Sequence, residues 1–384
     1  MWIERDYADK IKAAASKRPV VLLTGIRQAG KSSLLKRIYM DTDYVTLDRI
    51  ALAEEAEENP TSFLARFKEQ IIIDEIQYAP SLFRDLKIVV DENRDKNGSW
   101  ILTGSQQFLL MQQVNESLAG RVRILNLGTL SARELNRTNL LKNHKDLLWK
   151  GGFPELWAKN LDSKEFFEDY IQTYLERDLK QILSVTNLRD YRRFLSLLAI
   201  RVGQLLNYSE ISKEIGVAVN TVKAWVNTLE VSGLVILLPP YHNNLGKRII
   251  KSPKLYFCDN GLVCALLNIH SLGSLQKSIH LGNLWENFVI SEYLKEGYIC
   301  GRDIFYFRDT NGVEIDFILE KNGKVFLIEA KHTERPNSAK LNFKKVVPLF
   351  KQDVNPVVAC GIEEEGLFNL KDYAMYNPLR GPVL

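Results

Sequence analysis

The chain's clearest chemistry lies in eight consecutive residues, Gly25-Ile26-Arg27-Gln28-Ala29-Gly30-Lys31-Ser32. Their spacing is G-x-x-x-x-G-K-[ST], the pattern of a phosphate-cradling loop when a strand precedes it and a helix follows. Both flanks fit. Val20-Val21-Leu22-Leu23 reads as a buried strand, and Ser32-Ser33-Leu34-Leu35-Lys36-Arg37-Ile38 reads as a helix. Glycines let backbone N–H groups curl around phosphate oxygens, and the helix N-terminus adds a favourable dipole. Lys31 would bring a point charge to the β- and γ-phosphates, and the Ser32 hydroxyl would bind Mg²⁺. Gly25, Arg27, Gln28, Ala29, Gly30, Lys31, Ser32 and Ser33 are the residues expected to surround a bound ATP.

Ile71-Ile72-Ile73-Asp74-Glu75 is an apolar strand ending in two carboxylates. A strand buried in an open α/β sheet delivers such an end to the carboxyl edge, where ligands bind. Asp74 would hold Mg²⁺ through water and Glu75 would polarise the attacking water, which together imply ATP hydrolysis. Trp100-Ile101-Leu102-Thr103-Gly104-Ser105 repeats the form. Thr103 or Ser105 would orient the lytic water or sense the γ-phosphate; the alternative for Ser105 is a helix N-cap. Arg121, in Ser117-Leu118-Ala119-Gly120-Arg121-Val122-Arg123, follows a glycine and precedes a strand. It is a candidate arginine finger on the phosphate bound by a neighbouring subunit, or else a surface ion pair.

Positioning these groups requires a sheet. Five strand-like runs occur in the first third: Val20–Thr24, Tyr44–Leu47, Ile71–Asp74, Trp100–Thr103 and Val122–Leu127. Buried runs separated by helical patterns predict an α/β fold, a parallel sheet with helices on both faces. Gly151-Gly152-Phe153-Pro154 marks a loop, a helical stretch follows from about Lys164 to Val231, and mixed α/β patterning resumes near Leu281. Three units are expected: 1–145, 150–270 and 275–384.

Taken in order, GIRQAGKSSL, the DEIQ box, the ILTGS strand and the SLAGR segment resemble the AAA+-type prokaryotic ATPases fused to an uncharacterised C-terminal domain. The resemblance covers essentially the whole chain. It extends through Gly151-Gly152-Phe153-Pro154-Glu155, Tyr174-Leu175-Glu176-Arg177-Asp178 and Lys251-Ser252-Pro253-Lys254-Leu255-Tyr256-Phe257-Cys258-Asp259-Asn260-Gly261. It implies an AAA+ fold with Lys31, Asp74 and Glu75 in the roles above, and it names no cellular role.

In the middle, Tyr208–Ile215 reads as a short helix ended by Gly216, and Val219 opens a second helix running to about Val231. This is helix-turn-helix spacing, and Leu234–Leu238 with Lys254–Phe257 would form wing strands around Lys247, Arg248 and Lys251. DNA contact through the second helix and the basic wing is one reading; a structural winged helix is the other. Asn220, Thr221, Lys223 and Asn227 are few side chains for base reading, and so little positive charge gains little from phosphates.

The last third offers a second charged group. Glu314-Ile315-Asp316-Phe317-Ile318-Leu319-Glu320 and Lys324–Lys331 flank Asn322-Gly323, a strong hairpin signal. A two-residue turn there sets Asp316 opposite Glu329 and Glu314 opposite Lys331, all on one face. Opposed carboxylates about 4.5–5.5 Å apart at Cβ repel unless a cation lies between them. The arrangement looks like the PD-(D/E)XK nuclease core, with Asp316, Glu329 and Lys331 matching its D…E-x-K residues and Glu286, on a helical stripe with Val289, Ile290 and Tyr293, as the upstream acid. Glu286, Asp316 and Glu329 would then hold a divalent metal such as Mg²⁺, with Arg308 or the metal as the partner of Glu286. A salt-bridged hairpin is the bland alternative.

Composition sets bounds on all this. The 384 residues are 46% hydrophobic and 26% charged, with a net charge of +4, the profile of a globular protein that neither demands nor excludes nucleic acid. Cys258, Cys264, Cys300 and Cys360 show no metal-ligand spacing and are expected to be reduced. No apolar run reaches the ~20 residues of a membrane span, and the N-terminus lacks a secretion signal, so a cytoplasmic setting is expected. Three functions fit: an ATP-driven motor or switch on nucleic acid with metal-dependent cleavage as an output, an NTPase switch binding a protein partner, or an ATP-regulated DNA-binding regulator. A homo-oligomer is implied only if Arg121 acts across subunits.

Overall fold

The computed structural model describes residues 1–104, 117–178, 187–241, 251–382 and 384. Ser105, Lys247 and Arg248 lie outside the described residues. Two compact units form, one of Trp2–Thr129 with residues 231–233, the other of nearly everything from Leu130 onward.

The first unit grows from the apolar runs, since a strand covered on both faces has no polar side to present. They become β1 (Val20–Thr24), β2 (Asp43–Thr46), β3 (Ile71–Asp74), β4 (Trp100–Thr103) and β5 (Val122–Asn126). All pair in parallel, in the order β2-β3-β4-β1-β5. The central β1, β3 and β4 are buried along their whole length; the edge strands are only partly so. Helix Leu82–Glu92 buries Leu82, Phe83, Leu86 and Val90 along one face, and these join Val20, Ile71, Ile73 and Leu102 in a single core. Each such fully buried side chain contributes roughly 1.5–3 kcal/mol. The register sets Leu23 beside Thr103 and Thr46 beside Asp74, so the carboxyl ends of β1, β3 and β4 share one edge.

In the second unit, the predicted two-helix spacing appears as helices Tyr208–Ile215 and Val219–Val231, separated by Gly216 at φ 86°. Strands β6 (Val235–Leu238) and β7 (Lys254–Phe257) pair antiparallel. Helix Leu281–Lys295 then packs on β7 and on the sheet that follows. That sheet comprises β8 (Ile304–Arg308), β9 (Glu314–Lys321), β10 (Lys324–Lys331), β11 (Val354–Cys360), β12 (Phe368–Asn369) and β13 (Ala374–Tyr376), in the order β12-β13-β11-β10-β9-β8. It is mixed: β9–β10 is antiparallel and β10–β11 parallel. The hairpin turns at Asn322 (φ 50°) and Gly323 (φ 75°), both left-handed as a two-residue turn requires.

The helical segment and the C-terminal sheet pack into one compact unit. The physical link is Asn287, buried at 0% exposure. Its Oδ1 accepts from Phe257 N on β7 at 2.6 Å, and its Nδ2 donates to Asn260 Oδ1 at 2.7 Å. Asp259 likewise accepts from Gly152 N at 2.8 Å, and a Cβ on Gly151 would fall 2.0 Å from its carboxylate, which explains the glycine at 151. Among the described residues no helix is long and apolar enough to cross a membrane.

Candidate functional site

The loop after β1 is shaped by its glycines. Gly25 sits at φ 144°, and a Cβ there would fall 2.2 Å from the Leu127 carbonyl oxygen. Gly30, at φ 89°, turns the chain into helix Lys31–Ile38. Ala29 and Lys31 are buried, Gly30 and Ser32 half-buried, and Arg27, Gln28 and Ser33 exposed. Lys31 Nζ donates to Gly25 O at 3.0 Å and Ile26 O at 3.1 Å. Burial lowers its pKa, opposed by Glu75 and Asp74 and reinforced by Arg27. The ammonium thus rests on loop carbonyls.

Asp74, 3% exposed, is the centre of a hydroxyl cage. Ser32 Oγ donates to Oδ1 at 2.9 Å, Thr103 donates to the same oxygen, and Tyr44 donates to Oδ2. Burial and then Asp74 hold the Tyr44 hydroxyl well above its ordinary pKa, so it stays a donor. Glu75 takes a left-handed conformation at φ 56°, its N–H donating to Thr103 Oγ1 at 3.2 Å and its carboxylate accepting from Gln77. Lys31, Ser32, Asp74, Glu75 and Thr103 therefore meet at the carboxyl ends of β1, β3 and β4.

Two residues escaped the sequence reading. Tyr44 looked like an ordinary strand residue. Arg5, 8% exposed, reaches from the N-terminal segment to Ala29 O at 2.9 Å, Gly128 O at 2.8 Å and Thr129 O at 3.3 Å, bracing the phosphate loop. Nothing local in Met1–Asp6 signals that role.

Arg121 is not brought to this group. It precedes β5 at the amino edge of the sheet, roughly 15 Å from the carboxyl edge by strand length. It forms a bidentate pair with Asp91, at 2.7 Å through both Nε and Nη2.

The second unit gathers its charges differently from the sequence expectation. Asp316 Oδ2 accepts from Ala330 N at 2.8 Å and from Lys331 Nζ at 3.2 Å, while Lys331 also bonds Glu329 at 2.7 Å. Glu329 is pushed up to about 7 by burial and by Asp316, against the pull of Lys331. Glu286 was expected to take Arg308 or a metal. Arg308 pairs with Glu314; on Glu286, Lys254 Nζ lies 2.7 Å from Oε1 and the Tyr256 hydroxyl donates to the same oxygen. Glu314 does not meet Lys331. The β9–β10 ladder ends at Phe317–Ile328, and Glu314 lies opposite Arg308 of β8, 3.2 Å away, while its other oxygen contacts Lys254. Among the described residues the acids whose oxygens converge, within 4.8 Å of one another, are Glu286, Glu314 and Asp316. Glu329 is joined to them through Lys331 rather than belonging to that group.

In the two-helix segment, Asn220, Lys223 and Asn227 are exposed and Thr221 half-buried on the second helix, and Lys223 lies over the Tyr208 ring. Lys251 is exposed. The four cysteines are free.

Residues 17–136 match the family described as AAA domain, and residues 141–273 and 281–365 match two families described as domains of unknown function, DUF8612 and DUF4143. The chain is similar to uncharacterized protein Rv2008c of Mycobacterium tuberculosis and Mb2031c of Mycobacterium bovis, each 33% identical over 88% of this chain and 76% of the relative. Among solved structures, the Walker-type ATPase of Pyrococcus abyssi aligns with 69% of this chain and 96% of its own, at 18% identity and a TM-score of 0.43.

Proposed function

The chain belongs to the family of these mycobacterial proteins and carries an AAA-type ATPase domain, and from that premise we propose that it is a Mg²⁺-dependent ATP-hydrolysing switch. The observation that supports this reading is the convergence of Lys31, Ser32, Asp74, Thr103 and Glu75 on one sheet edge behind a glycine-shaped loop. The loop N–H groups and Lys31 would bind the phosphates, Lys31 leaving the carbonyls of Gly25 and Ile26 to do so. The oxygens of Ser32 and Asp74 suit a hard divalent ion, which would supply neutralising charge to the phosphates. Thr103 holds the backbone of Glu75, so the carboxylate that would activate water is positioned before substrate arrives.

A second reading, action on nucleic acid, draws support from the helix pair Tyr208–Ile215 and Val219–Val231 and the exposed Asn220, Lys223 and Asn227. Metal-dependent cleavage draws support from Asp316, Glu329 and Lys331 on neighbouring strands, but Lys254 stands against it. The test is ATP turnover of the full chain in Mg²⁺, alone and with duplex or single-stranded DNA. Turnover without DNA stimulation or DNA binding at low salt would leave the switch and end the nucleic-acid reading. Absence of Mg²⁺-dependent turnover under every condition would end the first.

A further inference from the structure

The acidic cluster of the second unit already contains a cation. Lys254 Nζ lies 2.7 Å from Glu286, in contact with Glu314, and 4.0 Å from Asp316, so it reaches all three converging carboxylates. A divalent ion bound to the same oxygens would need to sit about 2.0–2.6 Å from them, too close to the Nζ already paired with Glu286 and Glu314 for both cations to be held at once. The residues present therefore do not fit a metal while Lys254 stays. We infer that Lys254, delivered from β7, is the resident cation of this cluster and closes it to divalent metal.

The placement is built into the fold. Lys254 is 2% exposed, and burial alone would lower its pKa, but Glu286, Asp316 and Glu314 together hold it above the ordinary lysine value. An ammonium set among these carboxylates supplies the opposite charge that such a cluster needs. Lys331 and Arg308 neutralise the flanks of the cluster, on Asp316 with Glu329 and on Glu314 respectively. The backbone that carries Lys254 is tied on several sides, which fixes where its side chain starts. Leu238 of β6 pairs with Lys254 itself. Leu255 N donates to Gln204 O at 2.9 Å, and Gly203 N donates to Leu255 O at 2.7 Å. Phe257 N is held by Asn287 at 2.6 Å, and Tyr256 bonds the same Glu286 as Lys254. Admitting a metal would require the Lys254 ammonium to give up its carboxylate partners. The segment that precedes the C-terminal domain thus silences its acidic cluster in cis. This inference does not depend on the ATPase assignment.

Mn²⁺ binding to the nucleotide-free full chain tests it, with Asp316→Asn used to identify any site in the cluster. Wild type should show no site that Asp316→Asn removes, up to millimolar Mn²⁺. Lys254→Met should melt earlier without metal, gain one Mn²⁺ per chain, recover its melting temperature with Mn²⁺, and lose the gain when Asp316→Asn is added. Lys254→Arg keeps the charge and should gain none. A folded Lys254→Met with no added Mn²⁺ site overturns the inference. Should that variant not fold, the wild-type isotherm still decides: a site erased by Asp316→Asn in the presence of Lys254 overturns it, and the absence of one upholds it.

Discussion

Replacing Thr103 by valine removes one hydroxyl and leaves the shape of the side chain. That hydroxyl is fully buried, donates to Asp74 and accepts from Glu75 N at 3.2 Å. A hydrogen bond to a carboxylate is worth roughly 1.5–3 kcal/mol net, and a stranded backbone N–H costs roughly 1–3 kcal/mol. Asp74 keeps Ser32 and Tyr44, so the carboxylate is not abandoned, and both losses share one group. The expected total is about 3 kcal/mol, less than the sum of the two maxima. For a unit of this size that lowers the melting temperature by roughly 10 °C. Catalysis should suffer separately. Glu75 is held at φ 56° with that bond in place, and a misplacement of about 1 Å at a reacting group costs up to roughly 100-fold. The expected result is kcat down roughly 10- to 100-fold with KM for ATP little changed, since Lys31 and the loop are untouched. Thr103→Ser, which keeps the hydroxyl, should recover most of both effects. Coupled-assay kinetics and thermal melts read the two quantities independently. A lower melting temperature with unchanged kcat would reduce Thr103 to a structural part; no change in either would refute the cage around Asp74.

Lys31→Ala should weaken ATP binding by roughly 10- to 100-fold, the loss of one charge-assisted contact, and abolish turnover; nucleotide titration showing wild-type affinity would contradict the phosphate role. Glu75→Gln should bind ATP normally and turn over slowly, so a loss of binding instead would assign Glu75 a structural role. Arg121→Ala should lower turnover only where the specific rate rises with protein concentration; a variant that keeps the full rise ends the finger proposal. The same variant should release Asp91, whose carboxyl the Arg121 hydrogen bonds hold at about 2. Because that pKa is depressed in the folded chain, the pair's contribution is present above the ordinary carboxylate value and lost as pH falls through about 2. Carboxyl NMR should find the Asp91 titration moved upward in Arg121→Ala, and an unmoved titration would contradict the pairing.

The first sheet was legible because buried parallel strands leave unbroken apolar runs, and because each motif carbon-copies its position: the polar residues follow the run that delivers them. The hairpin register was legible for a local reason, a turn at Asn322-Gly323 that fixes every pair from Lys321–Lys324 to Phe317–Ile328. Beyond that last pair Asp316 and Glu329 still share Lys331, but Glu314 does not meet it. The β9–β10 ladder ends at that pair, and Glu314 pairs on the other edge of β9 with Arg308 of β8. Lys254 was harder still. It opens an apolar run, Leu255-Tyr256-Phe257, and read as the edge of a basic wing. Its partners lie 32 to 62 residues away, at Glu286, Glu314 and Asp316, where no periodicity could point. Tyr44 and Arg5 were hidden in the same way, each acting on residues remote in the chain.

The Arg5 brace has a bearing on how this unit is assembled. The phosphate loop is contiguous in sequence, yet Arg5 ties it at Ala29 to carbonyls of Gly128 and Thr129, contacts that span 123 and 124 residues. Gly25 also packs against the Leu127 carbonyl, and Leu127 N donates to Thr24 O at 2.8 Å. Contacts of such separation close late, after the entropy of a long loop has been overcome. During synthesis, therefore, the motif emerges early but stays an unbraced turn until the chain has been extended past Thr129. The last strand of the sheet, and the turn that follows it, complete the first loop.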